Sequence, residues 1–176
     1  CTSRSFGKMI TELDDLVPAI ATHASACAEK LRKEKACAVS IMPFVYTNRF
    51  RTDLKQCQLY KIVPLDIPTS DSRIIVDRAL QALKEMYRPG YQYKKAGVII
   101  TEIVSEKEKP LDLFGAKEDE KSIKLMDTLD KINRQHGKKS VRLSIELTDN
   151  KWQMQRHRMS PSYSTKLDDI IDIICD

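Results

Sequence analysis

Apolar residues recur at intervals of three and four along two stretches of the first half of the chain. In the first stretch they run from Leu13 through Ile20 to Leu31, which predicts an amphipathic helix from about Asp14 to Glu34. The second stretch predicts a helix from about Asp71 to Tyr87, preceded by several side chains able to cap it and followed by a proline and a glycine.

Four segments around these helices are rich in β-branched and aromatic residues, as is typical of strands. They cover residues 2–8, 36–46, 56–65 and 93–104. The predicted order is strand, helix, strand, strand, helix, strand. This βαββαβ order predicts an α+β fold of the split βαβ, ferredoxin-like type, with a four-stranded antiparallel sheet and both helices on one face. The other face of the sheet is then open.

The rest of the chain predicts a small helical C-terminal extension. Leu125, Leu129 and Ile132 repeat at helical spacing and predict a third helix from about Glu120 to Gln135, which Gly137 can end. We therefore expect a first domain over residues 1–104, a polar tether over 105–118 and a tail module over 119–176.

The tether contains one apolar cluster, Pro110 to Phe114, between strongly charged flanks. A segment of this composition cannot build a core of its own. Its large apolar side chains are therefore explained best by binding to another surface. The alternative is that the cluster folds back onto its own domain.

The positive charge of the chain is unevenly placed. The net charge is +5, and residues 1–104 hold 16 Lys and Arg against 11 Asp and Glu, whereas residues 105–176 hold 14 of each kind. An excess confined to the first domain favours a polyanionic partner such as nucleic acid, although ordinary soluble surfaces also reach this value.

Cysteine usage and hydropathy bear on the compartment. The five cysteines (Cys1, Cys27, Cys37, Cys57 and Cys175) are widely spaced and form no Cys-x-x-Cys pair, and the chain has three histidines. We interpret them as reduced thiols rather than disulfides or zinc ligands, and we expect a cytoplasmic protein. No apolar run approaches a membrane span, and we expect no signal peptide. Because Cys1 lies directly before a predicted strand, we expect a piece of a longer protein.

Several motifs occur in an order that resembles one known family. They are Ser3-Arg4-Ser5-Phe6, Ala28-Glu29-Lys30-Leu31-Arg32, Ile67-Pro68-Thr69-Ser70-Asp71 and Tyr93-Lys94-Lys95-Ala96-Gly97. Together they resemble the little finger domain of Y-family translesion DNA polymerases, in particular the UmuC-like catalytic subunit of bacterial DNA polymerase V. Residues 152–156 and 160–165 are similar to the short tail module of UmuC-like proteins, so the resemblance covers essentially the whole chain.

The resemblance gives the apolar cluster of the tether a function. Leu111, Asp112, Leu113 and Phe114 lie where UmuC-like proteins carry a peptide that binds the sliding clamp. Pro110 stands where that peptide normally has Gln, so we expect weakened binding. The apolar side chains remain, and such groups usually contribute most of a peptide's affinity.

A second set of residues is predicted to bind DNA. Hydroxyls and a cation along an extended strand can address successive phosphates, and the resemblance assigns such contacts to the first strand and to two lysines of the last. A loop between two strands adds weaker candidates. The set is Ser3, Arg4, Ser5, Thr47, Asn48, Arg49, Lys94 and Lys95. Contacts of this kind carry no sequence information.

The chain itself is expected to lack catalytic activity. In this family the carboxylates that hold two metal ions lie in an upstream palm domain, so the parent polymerase would need Mg²⁺ while this piece needs no cofactor. Asp14-Asp15 suits a helix N-terminus instead. The resemblance implies four partners, namely DNA, the sliding clamp, a processed UmuD-like dimer and a RecA filament.

Two other classes share the predicted architecture. One is an RNA-binding module, whose stacking signature is missing from residues 56–65, where Tyr60 is the one aromatic residue. The other is a protein-binding adaptor, against which the basic first domain counts mildly.

Overall fold

The computed structural model describes residues 1–108, 120–146, 152–154, 160–161 and 163. The strands are β1 (Thr2–Ile10), β2 (Ala36–Thr47), β3 (Gln58–Tyr60), β4 (Val63–Thr69) and β5 (Tyr93–Ser105). The helices are α1 (Leu13–Lys33), α2 (Ser72–Met86) and α3 (Glu120–Gln135), with two short 3-10 helices at Glu106–Glu108 and Ser144–Glu146. All three predicted helices are present, and their bounds differ from the prediction by at most one residue.

The strands form one antiparallel sheet in the order β1-β5-β2-β3, and β4 also pairs with β2. The predicted α+β class is confirmed, but the sheet has five strands rather than four. The predicted third strand is divided, so that Tyr60 of β3 pairs with Phe44 and Val63 of β4 pairs with Ile41. Both pieces follow the same edge of β2. Two prolines in β4 cannot donate to a ladder, which suits an edge position.

The core lies between the sheet and a layer formed by α1 and α2. These two helices contact each other, and both contact β2. Small residues on α1, including Ala19 and Ala24, are fully buried and allow close packing against the sheet. The largest fully buried apolar side chains come from all of these elements and include Phe6, Leu16, Ile20, Ile41, Ile75 and Leu83.

The start of α2 has the predicted cap. Asp71 is the N-cap residue, and its Oδ1 accepts a hydrogen bond from the backbone N–H of Arg73 at 2.8 Å. Thr69 supports it, because its hydroxyl oxygen accepts from the backbone N–H of Asp71 at 3.0 Å. A buried carboxylate that satisfies the first turn fixes where the helix begins.

An ion pair joins α3 to α1. The Arg32 guanidinium donates to both carboxylate oxygens of Asp130, from Nε at 2.7 Å and from Nη2 at 2.8 Å. Arg32 also donates to the carbonyl oxygen of Ser70 and to the hydroxyl of Ser72. One nearly buried side chain therefore joins α1, α3 and the start of α2.

A second connection brings Trp152 against β1 and α1. The backbone N–H of Gly7 donates to the carbonyl oxygen of Trp152 at 3.1 Å, and the indole is 3% exposed. Its ring lies edge to face with Phe6, with centroids 6.3 Å apart. A Cβ at position 7 would lie 2.7 Å from the carbonyl oxygen of Gln153, so this approach requires glycine.

Regular structure continues beyond the last predicted strand, which ends at residue 104. Strand β5 continues to Ser105, the next three residues form a 3-10 helix, and the N–H of Glu106 donates to the carbonyl oxygen of Lys35 at 2.9 Å. The proposed clamp-binding residues Leu111 to Phe114 lie outside the described residues.

Candidate nucleic-acid interface

The face of the sheet opposite the helices carries two rows of cross-strand neighbours, each with one residue from β1, β5, β2 and β3. Side chains alternate between the two faces of a strand, so directly paired residues share a face. We call these eight residues the open face. They are Ser3, Gly97, Phe44 and Tyr60 in the first row, and Ser5, Lys95, Tyr46 and Gln58 in the second.

The row between them has the opposite orientation. Arg4 pairs with Ala96, Ala96 with Val45 and Val45 with Leu59. Ala96 and Val45 are fully buried in the core, and Leu59 packs against it. This row therefore faces the helices, which fixes the orientation of the two rows on either side.

Gly97 holds the first row together by leaving room for an aromatic ring. A Cβ at this position would lie 2.4 Å from the Cβ of Ser3 and 2.7 Å from Cζ of Phe44. The Phe44 ring therefore lies across the glycine. This explains why Phe44 is 3% exposed although it lies on the open face.

Three aromatic residues are neighbours on the open face. The rings of Phe44 and Tyr46 have centroids 4.7 Å apart and planes inclined by 32°. Tyr60 is directly paired with Phe44, and 61% of its surface is exposed. Phe44 and Tyr46 were not predicted as site residues, and Tyr60 was noted as an aromatic residue of its segment. The signal for Phe44 and Tyr46 was their spacing of two on one strand, which places both rings on one face.

The structure brings three of the predicted DNA-binding residues together on this face. Ser3 and Ser5 are two residues apart on β1, and Lys95 of β5 pairs directly with Ser5. All three are partly exposed. They offer two hydroxyls and one ammonium group to a ligand lying across β1 and β5.

Arg4 and Lys94 are placed differently. Arg4 belongs to the row that faces the helices, and its charge helps to lower the pKa of His23 on α1. Lys94 donates from Nζ to the carbonyl oxygen of Phe6 at 2.6 Å, beside an irregularity in the pairing of β1 with β5. Neither cation lies in the rows of the open face.

The other three predicted residues shape the loop between β2 and β3. The Thr47 hydroxyl donates to Oε1 of Gln56 at 2.9 Å, and Oδ1 of Asn48 accepts from the N–H of Phe50 at 3.1 Å. The Arg49 guanidinium lies 4.9 Å from the centroid of the Phe50 ring, which is 79% exposed. Arg49 therefore adds a cation and Phe50 an aromatic ring at the tip of this loop.

Behind the sheet, a buried histidine lies next to Trp152. Burial lowers the pKa of His23 to about 4, with smaller contributions from the nearby cations Lys139 and Arg4. Within the described part of the chain, His23 Nε2 and Trp152 Nε1 have no hydrogen-bond partner. His23 is therefore neutral at pH 7.

The cysteines in the described ranges form no disulfide with one another. Cys27 and Cys37 are buried, Cys57 is partly buried and Cys1 is exposed, while Cys175 lies outside these ranges. Burial raises the pKa of the Cys57 thiol. Among the residues that the structure describes, no three His, Cys, Asp or Glu side chains are grouped so as to hold a metal ion. The helices in these ranges lack the combination of length and apolar composition that a bilayer-spanning helix requires.

Two family models match the chain. The model of the impB/mucB/samB family C-terminal domain matches residues 1–113, which include the whole sheet. A second model, a domain of unknown function (DUF4113), matches residues 123–173.

Individual relatives match over nearly the whole chain. Protein UmuC of Salmonella typhimurium is 33% identical over 97% of the chain and 41% of its own length. Protein ImpB of Salmonella typhimurium is 38% identical over 96% of the chain and 40% of its own length. Protein MucB of Escherichia coli is 37% identical over 93% of the chain and 38% of its own length. The chain thus spans about two fifths of the curated relatives that it matches.

Proposed function

Because the chain belongs to the impB/mucB/samB family, through its C-terminal domain, we propose that it is the DNA-binding and processivity part of an error-prone translesion DNA polymerase of the SOS response. In this proposal it holds the DNA backbone without reading sequence and docks on the sliding clamp. It performs no catalytic step, since the resemblance puts the Mg²⁺-binding carboxylates in a palm domain outside this chain.

The observation that carries the DNA-binding proposal is the open face. It is a sheet surface left free by the helices, and it presents Ser3, Ser5 and Lys95 as neighbours. Hydroxyls and lysines are common ligands of phosphate oxygens. The positive excess of the chain lies wholly in residues 1–104, so the electrostatic attraction for DNA is centred on the domain that bears this face.

The proposed DNA contacts extend from the open face to residues at its borders. Arg49 lies on the loop beyond β2, next to the hydrogen-bonded Thr47 and Asn48. Arg4 is the sequence neighbour of Ser5 on β1, and Lys94 is the sequence neighbour of Lys95 on β5. From the edge strand β1, the long side chain of Arg4 can reach a backbone that passes the sheet edge. Lys94 lies on the inner strand β5 beside Lys95, and its ammonium group donates to the carbonyl oxygen of Phe6. We therefore retain all eight predicted residues, with Ser3, Ser5 and Lys95 at the centre.

The salt dependence of DNA binding by the full chain tests this proposal. For duplex DNA, each lost phosphate contact lowers the magnitude of the log-log salt slope by roughly 0.9. We expect Lys95→Gln to lower the slope by about one on every duplex sequence alike. The matched control is Lys33→Gln, which removes the same charge from α1, where Lys33 pairs with Glu29 on an exposed surface.

Two further variants test whether cations beside the open face also contact the DNA backbone. Adding Arg4→Gln and then Lys94→Gln to Lys95→Gln should lower the slope again, by up to about one each, if these cations reach the backbone. If Lys33→Gln lowered the salt slope as much as Lys95→Gln, the open face would not be the DNA-binding surface. A clear preference among duplex sequences would contradict binding through the backbone alone.

The clamp contact is the second part of the proposal, and its residues are Leu111, Asp112, Leu113 and Phe114. Burial of three large apolar side chains gives about 5 kcal/mol before ordering costs, so we expect micromolar or weaker affinity. Calorimetry of a peptide spanning residues 108–117 against the sliding clamp is the test. Pro110→Gln should bind more tightly, and Leu113→Ala with Phe114→Ala should abolish the heat. Absence of heat from the Gln variant would identify the segment as a plain linker.

A processed UmuD-like dimer and a RecA filament are further partners in this proposal. They rest on the family resemblance and are assigned to no residues.

A further inference from the structure

We propose that Tyr60 and Tyr46 form a stacking platform for unpaired bases, so that the open face binds single-stranded DNA in addition to a duplex backbone. This inference rests on the proposed function and adds a ligand class to the same face. The observation behind it is the aromatic cluster that the pairing of β2 with β3 assembles.

The geometry gives each of the three rings a distinct role. Phe44 is 3% exposed and lies across Gly97, so it offers no free face and acts as support. Tyr46 packs against Phe44 along β2, with ring centroids 4.7 Å apart, and Tyr60 is paired with Phe44 across the strands. Both tyrosines are therefore neighbours of a fixed ring, and both keep exposed surface. Tyr60, with 61% of its surface exposed, has the most room for a base.

The surroundings of the rings favour a nucleic acid over an apolar partner. Lys95 is directly paired with Tyr46, so a base on that ring brings its phosphate next to an ammonium group. Ser5 and Gln58 complete the same row with neutral polar groups. An aromatic surface beside a cation is the combination that binds single strands, because every base has a face to stack and every nucleotide has a charge.

Duplex DNA cannot use these rings. Its bases are stacked on each other, and only the base edges and the backbone are accessible. An aromatic ring on a sheet surface can stack only with a base that has left its own stack. Unpaired template nucleotides supply such bases next to a duplex that the same domain is proposed to hold, which favours DNA over RNA as the ligand.

The test uses the full chain and a 12-nucleotide oligothymidine with one central 2-aminopurine, whose fluorescence falls when it stacks. We expect Tyr60→Leu to reduce affinity for this probe by roughly 5- to 150-fold and to weaken the quenching. Tyr60→Phe keeps the ring and should retain both. Tyr163→Leu removes a tyrosine of similar exposure, 51%, from outside the sheet and should change nothing. Tyr46→Leu should act in the same direction as Tyr60→Leu.

A duplex of the same length separates this inference from the proposed function. If Tyr60→Leu lowers affinity for the single strand and leaves duplex affinity unchanged, stacking on the platform is supported. If duplex binding is intact and Tyr60→Leu leaves probe affinity and quenching unchanged, the proposed stacking of bases on the tyrosines is wrong, while the DNA-binding proposal stands. If the wild-type chain binds neither, both fail. Tighter binding of the matching oligouridine than of the DNA probe would overturn the assignment to DNA.

Discussion

The indole of Trp152 meets the imidazole of His23 edge to face, with ring centroids 5.7 Å apart and planes inclined by 62°. His23 belongs to α1 of the first domain, whereas Trp152 follows α3 by 17 residues along the chain. Trp152 is part of the same buried apolar cluster as Phe6 and Ile20. The C-terminal part of the chain therefore contributes a side chain to the core of the first domain.

Trp152→Ala should destabilise the whole first domain. Removing a buried indole leaves a cavity beside Phe6 and His23, and large aromatic truncations of this kind cost about 3 to 5 kcal/mol. Chemical denaturation followed by far-UV circular dichroism measures this loss. Met154→Ala is the control, because Met154 is two residues away and 57% exposed. Equal stability of the two variants would show that the indole adds nothing to the core.

The stability of the protein should fall on mild acidification because of His23. Its pKa is lowered from 6.5 to about 4, so the folded state favours the neutral ring. This contribution is complete above pH 6.5, where both states are neutral, and is lost as the pH falls from 6.5 to about 4. At pH 4.5 the loss is about 2 to 3 kcal/mol relative to pH 7.

A pair of histidine variants isolates the contribution of His23 to the loss of stability in acid. We expect His23→Leu to lose about 2 to 3 kcal/mol less than the wild type between pH 7 and pH 4.5, since the carboxylates titrate alike in both proteins. His136→Gln, at an exposed position, should keep the wild-type acid loss. Urea unfolding at the two pH values gives the four free energies. A wild-type acid loss that persists in His23→Leu would assign the effect to other groups.

The sequence predicted the helices well because apolar residues recur at helical spacing along each of them. The third helix matches its predicted range, Glu120–Gln135, and α1 is displaced by one residue. The alternation within Ser3-Arg4-Ser5 also indicated that Arg4 faces away from the two serines, although the prediction grouped all three.

Long-range features of the site were beyond such reasoning. The open face depends on how β5 and β2 are aligned, and irregular pairing near Ser40 and Tyr46 changes that register by amounts that no local pattern encodes. The predicted third strand is divided where two separate segments, β3 and β4, pair with β2. The position of Trp152 depends on a groove formed by β1 and α1, which exists only after the domain has folded.

The ion pair between Arg32 and Asp130 should be needed for the docking of α3. Both side chains are mostly buried, with 9% and 18% exposure, and removing one partner leaves the other charge without compensation. We expect Asp130→Asn to cost about 2 to 4 kcal/mol and to speed amide hydrogen exchange in α3.

An exposed ion pair on α1, the helix that carries Arg32, provides the comparison. Lys33 and Glu29 are four residues apart and about half exposed, so Glu29→Gln should cost less than about 0.5 kcal/mol. If Asp130→Asn were as mild as Glu29→Gln and left exchange in α3 unchanged, then α3 would be held by its apolar contacts, such as those of the buried Met126.

Gly97→Ala should test the packing beneath the aromatic platform. The new methyl group would lie 2.7 Å from Cζ of Phe44 and equally close to the carbonyl oxygen of Thr2, which belongs to the backbone and cannot rotate away. Overpacking of this kind costs about 1 to 3 kcal/mol. Gly90→Ala is a control with a different cause, since nothing lies within 4 Å of its Cβ but its φ is +81°. Strain at that residue should cost about 1 kcal/mol.

Combining Gly97→Ala with Phe44→Leu should recover part of the stability lost in Gly97→Ala, because the shorter side chain withdraws from the methyl group. Urea denaturation of these variants measures the coupling, and strictly additive losses would mean that the Phe44 ring does not rest on Gly97.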